Sequence, residues 1–422
     1  MTMMDNVSRR DLLKLSAAGV LGVSTSGWFN VLASRAAETR RQHKSCILLW
    51  MDGGPSHKDT FDLRPGTAQG GPFQQIQTSV NGIQISEHFP RFARQMQHAA
   101  IIRSMSTGEG AHGRAKYYLH TGYKEGVGGL HYPSIGSIAA MEIGDRNNPM
   151  PNFVSIGNRS YGSGFLGPRH QPLIVNSAAR GVDNLRPLVA ERQFTSRVGL
   201  LDELEQSFHR THEAGTSLAH RTTYQRAVTL MRDRGARAFD ISGESQATRT
   251  AYGSGAFGEG CLLARRLVEA GVTFVEVTLG GWDTHQNNFN RVRQLSQQVD
   301  QAMSQLVADL RERGLLDSTL VIWMGEFGRT PRINNRGAQP GRDHFPRAWS
   351  SVLIGGGVRG GQVIGRTDAE AATVAERPVN TLDFMATICR ILGIDYTKMN
   401  QTPIGRPIRI VDRGGNHIRE LV

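Results

Sequence analysis

Cys46-Ile47-Leu48-Leu49-Trp50-Met51 runs directly into Asp52-Gly53-Gly54-Pro55-Ser56-His57. A short unbroken apolar run that stops at a glycine turn predicts a strand buried on both faces, as in a parallel sheet. Similar runs recur at Ala99 to Met105 (AAIIRSM), Val272 to Leu279 (VTFVEVTL), Thr319 to Met324 (TLVIWM) and Ser351 to Ile354 (SVLI), and are expected to be further buried parallel strands. Arg291 to Arg313 lies between two of them. It carries Val292, Leu295, Val299, Met303, Leu306 and Leu310 near helical spacing, with polar residues opposite. Phe257 to Ala270 and Leu382 to Leu392 read the same way. Strands alternating with helices predict an α/β fold: a mostly parallel central sheet with helices on both faces. Residues 180–250 are rich in Arg, Glu, Gln and Ser with apolar residues at helical spacing, which predicts a helical insertion. No flexible linker and no fixed-period repeat interrupts the chain, so one α/β domain is expected over about 44–415.

The composition agrees with a globular protein. Of 422 residues, 39% are hydrophobic and 20% charged, too apolar for a disordered chain. The three cysteines (Cys46, Cys261, Cys389) are too few and too scattered for a disulfide framework or a thiolate zinc site. A net charge of +12 suits an anionic substrate, nucleic acid or an anionic surface, and equally suits simple solubility. No basic block alternates with aromatics, so nucleic acid is not favoured.

The N-terminus carries an address. Ser8-Arg9-Arg10-Asp11-Leu12-Leu13-Lys14 precedes an uncharged stretch from Leu15 to Ala33 and a small-residue site around Ala33-Ser34-Arg35-Ala36-Ala37. Residues 1–37 therefore resemble a twin-arginine signal. This implies passage through the twin-arginine export machinery to the periplasm or the exterior. No other stretch is apolar enough to predict a stable transmembrane span.

In open α/β sheets ligands bind beyond the carboxyl ends of the strands, so those ends hold the candidate chemistry. The first strand delivers Asp52, either a ligand or a turn aspartate, with Ser56 and His57 as substrate-binding candidates. The third is followed by Gly281-Trp282-Asp283-Thr284-His285. At strand spacing Asp283 and His285 point the same way, a pairing suited to a borderline metal or to a plain hydrogen bond. The fourth ends in Gly325-Glu326-Phe327-Gly328-Arg329, offering a carboxylate ligand and an arginine for an anionic group. Asp343 and His344 sit in the loop before the fifth strand. Together Asp52, Asp283, His285, Glu326, Asp343 and His344 predict a site for one or two divalent ions: zinc, manganese, iron or calcium. Ser104 to Gly122 (SMSTGEGAHGRAKYYLHTG) follows the second strand and enters a helix. Thr107 is a nucleophile or a helix cap there, and His112 a base, a ligand or a nucleophile.

WMDGGPSHKDTFD, GGWDTH, MGEFGRTP and GRDHFP, in this order, resemble the exported proteins of the "domain of unknown function 1501" family, distantly similar to sulfatases and alkaline phosphatases. The resemblance spans nearly the whole chain beyond the signal and implies an alkaline-phosphatase-like sheet. It also implies a hydrolase of phosphate or sulfate esters acting on an anionic small-molecule or glycan ester. By the same resemblance His112 stands at the nucleophile position, with Lys116 at the neighbouring arginine and Arg114 as a further anion-holding residue. No Cys-x-Pro-Ser-Arg motif is present, so a formylglycine nucleophile is excluded. Thr107, His112 or a metal-activated water is left to attack, with Arg329 on the anion. The alternative is a non-catalytic protein that binds an anionic ligand or glycan on the same fold.

Overall fold

In the computed structural model, residues 43–211 and 215–422 are described, and the export signal expected at 1–37 lies outside them. The main sheet has eight strands. They are β1 (Ser45–Asp52), β2 (Ala99–Met105), β3 (Phe153–Ile156), β4 (Leu173–Val175), β5 (Phe274–Gly280), β6 (Thr319–Met324), β7 (Trp349–Gly355) and β8 (Gln362–Ile364). Their order across the sheet is β8-β2-β7-β6-β1-β5-β3-β4. β1 is central and pairs in parallel with β5 (Asp52 opposite Gly280) and with β6 (Trp50 opposite Met324). All five apolar runs form strands, but β7 is antiparallel to both neighbours, β2 and β6. This corrects the expectation of a parallel strand there. Burial on both faces sets the composition of a run, and β7 is buried throughout whichever way it points.

Side-chain alternation splits the core in two, as a strand period of two requires. Ile47, Leu49 and Met51 pack on one face with the buried stripes of α5 (Ala256–Glu269) and α6 (Asn288–Glu312). Cys46, Leu48 and Trp50 pack on the other with α2 (Ile135–Glu142), α7 (Thr381–Leu392) and Leu119 of α1 (His112–Thr121). The result is a mostly parallel α/β sheet with helices on both faces. Residues 180–250 contain α3 (Glu191–Thr211) and α4 (Gly215–Arg232), then short helical turns and a helix at Gln246–Tyr252. His43–Val422 form one compact unit. The three cysteines are buried and free, and burial pushes their thiols up, so none is a ready nucleophile. No helix among the described residues is long and apolar enough to cross a membrane.

Candidate metal centre

The chain leaves β1 through Gly53, whose φ of +115° disfavours any L side chain. A Cβ there would also collide with the backbone nitrogen of Asp283. That close approach, with Trp282 N–H donating to Asp52 O at 3.2 Å, locks the turn after β5 onto the end of β1. Asp283 is thereby aimed over the carboxyl edge of the sheet. Glu326, the second residue past β6, is fully buried and accepts from Gly53 N–H at 3.0 Å. Gly328–Arg329 pairs antiparallel with His344–Phe345, placing Arg329 opposite His344. Two motifs 15 residues apart in the chain are thus joined at the site.

Three imidazoles converge on Asp283. His112 is the first residue of α1, and its Nδ1 lies 2.6 Å from Glu326 Oε1. His285 Nδ1 lies 2.8 Å from Asp343 Oδ1, and His344 Nδ1 lies 2.9 Å from Gly110 O. A carbonyl or carboxylate oxygen can only accept, so each Nδ1 carries a proton, and in the neutral ring Nε2 presents a lone pair. Those lone pairs meet: His285 Nε2 is 3.0 Å from His344 Nε2, and both are near Asp283 Oδ1, at 3.1 and 3.3 Å. His112 Nε2 is buried without a hydrogen bond, although Asp283 Oδ2 is 3.3 Å away. The chosen ligand atoms of His112, Asp283 and His344 lie within 4.8 Å of one another. Facing lone pairs repel unless a proton or a cation sits between them. Imidazole nitrogens with one carboxylate oxygen, each ring backed by an acceptor, match the donor set and outer support of a borderline divalent metal. The residues present therefore fit a metal ion.

The electrostatics point the same way. Burial opposes charge on Asp283, but Arg329, at 2.6 Å, together with His112 and His285 holds its carboxyl at about 2. Burial, helped by Arg329 and His112, lowers His344 and keeps it neutral. The hydrogen bond to Glu326 raises His112 against the opposing effect of burial. Phe327 packs on His112 and His344, with ring centroids 4.9 and 4.8 Å apart, and helps fix both rings.

The other residues singled out from sequence fall around this cluster. Glu326 and Asp343 back His112 and His285 and do not point at the convergence point. Asp52 accepts from Trp50 Nε1 at 3.2 Å and pairs with Lys116 Nζ at 2.5 Å, outside the His112–Asp283–His344 group. Arg329 is fully buried and bonded to Gly53 O, Gly54 O and Asp283. A buried guanidinium needs such partners, so Arg329 braces the site from behind and offers no free edge to an external anion. Arg114 is exposed beside Glu109, with Nε to Oε2 at 2.9 Å. Thr107 Oγ1 accepts from Glu109 N–H at 2.8 Å within a local turn, and the residue capping α1 is Ala111. Ser56 and His57 are both buried, and His57 Nε2 bonds Ala371 O at 2.9 Å, so neither lines the opening.

Several supports were not singled out from the sequence, although some lie inside its motifs. Asp59 and Arg342 form a fully buried ion pair at 2.8 Å, and Arg342 also holds Thr330 O and Pro331 O, which anchors the loop carrying Asp343. Asn334 and Arg336 reach Asp343 Oδ1 from the same loop. Behind α1, His120 is 2.8 Å from Lys116 O and 3.4 Å from Glu276, which accepts from Ser160 at 2.5 Å.

The fold and cluster define an α/β protein with a candidate histidine–aspartate metal centre at the carboxyl edge of its sheet. Residues 43–422 match the family described as "Protein of unknown function (DUF1501)", and the chain belongs to it. No curated protein sequence matches it. Among solved structures it is similar to the PsFucS1 sulfatase from Pseudoalteromonas sp., at 14% identity over 88% of this chain and 72% of that one, with a TM-score of 0.42. It is also similar to the alkaline phosphatase from the Antarctic bacterium TAB5 (13% identity, 84% and 100% covered, TM-score 0.37). A third is the phosphonate monoester hydrolase SpPMH from Silicibacter pomeroyi (12% identity, 90% and 76% covered, TM-score 0.35). At these identities and scores no residue role passes from them to this chain.

Proposed function

We propose that the protein is an exported metal-dependent hydrolase of phosphate or sulfate esters. The observation that carries the reading is the convergence of three imidazole Nε2 atoms on the Asp283 carboxylate. His112, Asp283 and His344 would hold the ion, with His285 beside them, and Glu326 and Asp343 orient the rings. A divalent ion bound there supplies Lewis-acid activation of water and neutralises charge on an ester oxygen.

The chain's own groups do the rest. His112 begins α1, whose first turn has no side-chain cap, so its open backbone N–H groups and helix dipole favour an anion at this edge. Lys116, one turn along the same helix, is a quarter exposed and paired with Asp52. It can exchange that carboxylate for an ester oxyanion while Trp50 continues to hold Asp52. Arg114, exposed on the same helix and paired with Glu109, is a further cation that an ester can reach only by displacing that carboxylate. With Thr107 committed to its turn, water is favoured over the hydroxyl as the attacking group. The choice of phosphate and sulfate esters follows the motif resemblance and the cationic entrance.

The test uses mature protein exported by its own host. Metal content is measured by elemental analysis, and turnover is assayed on p-nitrophenyl phosphate and sulfate, beside an Asp283→Ala/His344→Ala variant. Near-stoichiometric metal with turnover, both lost in the variant, supports the reading. Bound metal without turnover on a broad ester panel favours the binding-protein alternative. Absence of metal from well-folded native protein defeats the hydrolase reading and leaves the binding-protein alternative.

A further inference from the structure

We propose that the cleft between α4 and the 145–173 segment is a second anion-binding site, taking a phosphate or sulfate ester carried on a hydroxylated, sugar-sized body. The cleft encloses about 720 Å³, more than a lone oxyanion needs and enough for one or two rings. Asn152 immediately precedes β3 and Leu173 begins β4, and both line the cleft. It therefore opens at the amino ends of these strands, whereas the metal centre lies past the carboxyl ends of the parallel β1 and β5. The seven residues of β5 alone put roughly 20 Å between the two edges. This site does not rest on the metal-centre reading.

Its chemistry is cationic. Arg146, Arg169 and Arg226 line the cleft with His170. Among the described residues none of the three arginines forms an ion pair with a carboxylate. Asp145, the acid on the rim, accepts the backbone N–H of Asn147. Arg226, at the centre of α4's inner face, donates to Pro168 O at 2.8 Å and Gln171 O at 3.3 Å, two dipoles in place of a counter-charge. Burial and then the proximity of Arg169 lower Arg226. Burial, then the nearby Arg169, Arg226 and Arg146, press His170 down to about 4. Arg226 is half-buried, and such a cation without a counter-ion is costly; Arg146 and Arg169 are exposed. An oxyanion beside Arg226 removes that cost through charge-assisted hydrogen bonds that the two exposed guanidinium groups can share. Thr222 and Gln225 bring polar groups to the wall, and Met150 and Leu230 bring apolar surface, the mixture that a sugar ring presents in return.

The test is calorimetry on the full chain carrying Asp283→Ala/His344→Ala, which removes the metal centre as a competing site. The probes are glucose 6-phosphate, glucose 6-sulfate, glucose, and inorganic phosphate and sulfate. The sugar esters are expected to bind and glucose not to. Arg169→Gln and Arg226→Gln should each weaken ester binding about tenfold or more. Arg169 is exposed, so its replacement leaves the packing intact. Saturating ester should raise the His170 titration midpoint followed by NMR. Failure of both esters to bind, or binding unchanged in both arginine variants, overturns the proposal. Inorganic phosphate binding as tightly as the esters overturns the sugar-ester assignment.

Discussion

Glu326→Gln isolates the orienting role of one buried carboxylate. Glu326 is fully buried, accepts from Gly53 N–H at 3.0 Å and receives the His112 Nδ1 proton at 2.6 Å. Glutamine has nearly the same shape but only one oxygen. Oε1 takes both bonds, and Gly53 N–H is also 3.3 Å from Oε2. A glutamine oxygen in the Oε1 position keeps both donors, but as a neutral acceptor, and its NH₂ then faces Gly53 N–H, donor against donor. The Nδ1–H of His112 is held less strongly, and its Nε2 becomes a weaker donor to an ion. Replacing such an outer partner costs about 10- to 100-fold in metal affinity, or about 1.4–2.7 kcal/mol. The assay is competitive chelator titration with zinc and manganese near neutral pH, beside circular dichroism and thermal melting to establish folding. Asp52→Asn is the control: Asp52 pairs with Lys116 and not with the convergence point, so its metal affinity should stay within about twofold of the parent. A folded Glu326→Gln protein with parental affinity, or an Asp52→Asn loss as large as that of Glu326→Gln, would refute the assignment of Glu326 as support and of Asp52 as a bystander.

Other outcomes follow from the same geometry. Asp343→Asn should weaken metal binding less than Glu326→Gln in the same titration, because Asp343 is about one-third exposed and His285 has water as an alternative acceptor. Gly53→Ala should destabilise by about 3 kcal/mol or more in urea unfolding, since the new Cβ meets both a positive φ and the backbone of Asp283. Lys116→Met should raise KM for a charged ester while leaving metal content unchanged, and an unaltered KM would remove Lys116 from the substrate entrance. For His170 the folded value of about 4 lies below an unfolded value of about 6.5, so the unfolded chain binds more protons between them. Stability should therefore fall as pH drops through that window, and a His170→Gln variant should show a shallower decline in melting temperature between pH 6.5 and 4.

Legibility differed between fold and site. The five apolar runs and three amphipathic helices were plain because burial on both faces, or on one stripe, dictates composition directly. β3, β4 and β8, of only three or four residues, leave too short a run to read. The direction of β7 was also hidden, because reversing a fully buried strand changes none of its side-chain requirements. At the site, Asp283, His285 and His344 stood out by residue type beside strand ends. Where Glu326, Asp343 and Arg329 sit around the cluster did not, since a carboxylate that faces an ion and one that backs a histidine look alike in a motif.

The sequence by itself determined the α/β layering, the strand ends and the segments that carry the chemistry, because periodicity and strand-end glycines are local properties. Only the tertiary structure decided which atoms meet. His112 and Glu326 are 214 positions apart, and Asp59 and Arg342 are 283 apart. Their pairing depends on strand order and on backbone packing at Gly53. Those long-range contacts turn scattered histidines into one convergent set of lone pairs, with each ring's proton committed on the far side.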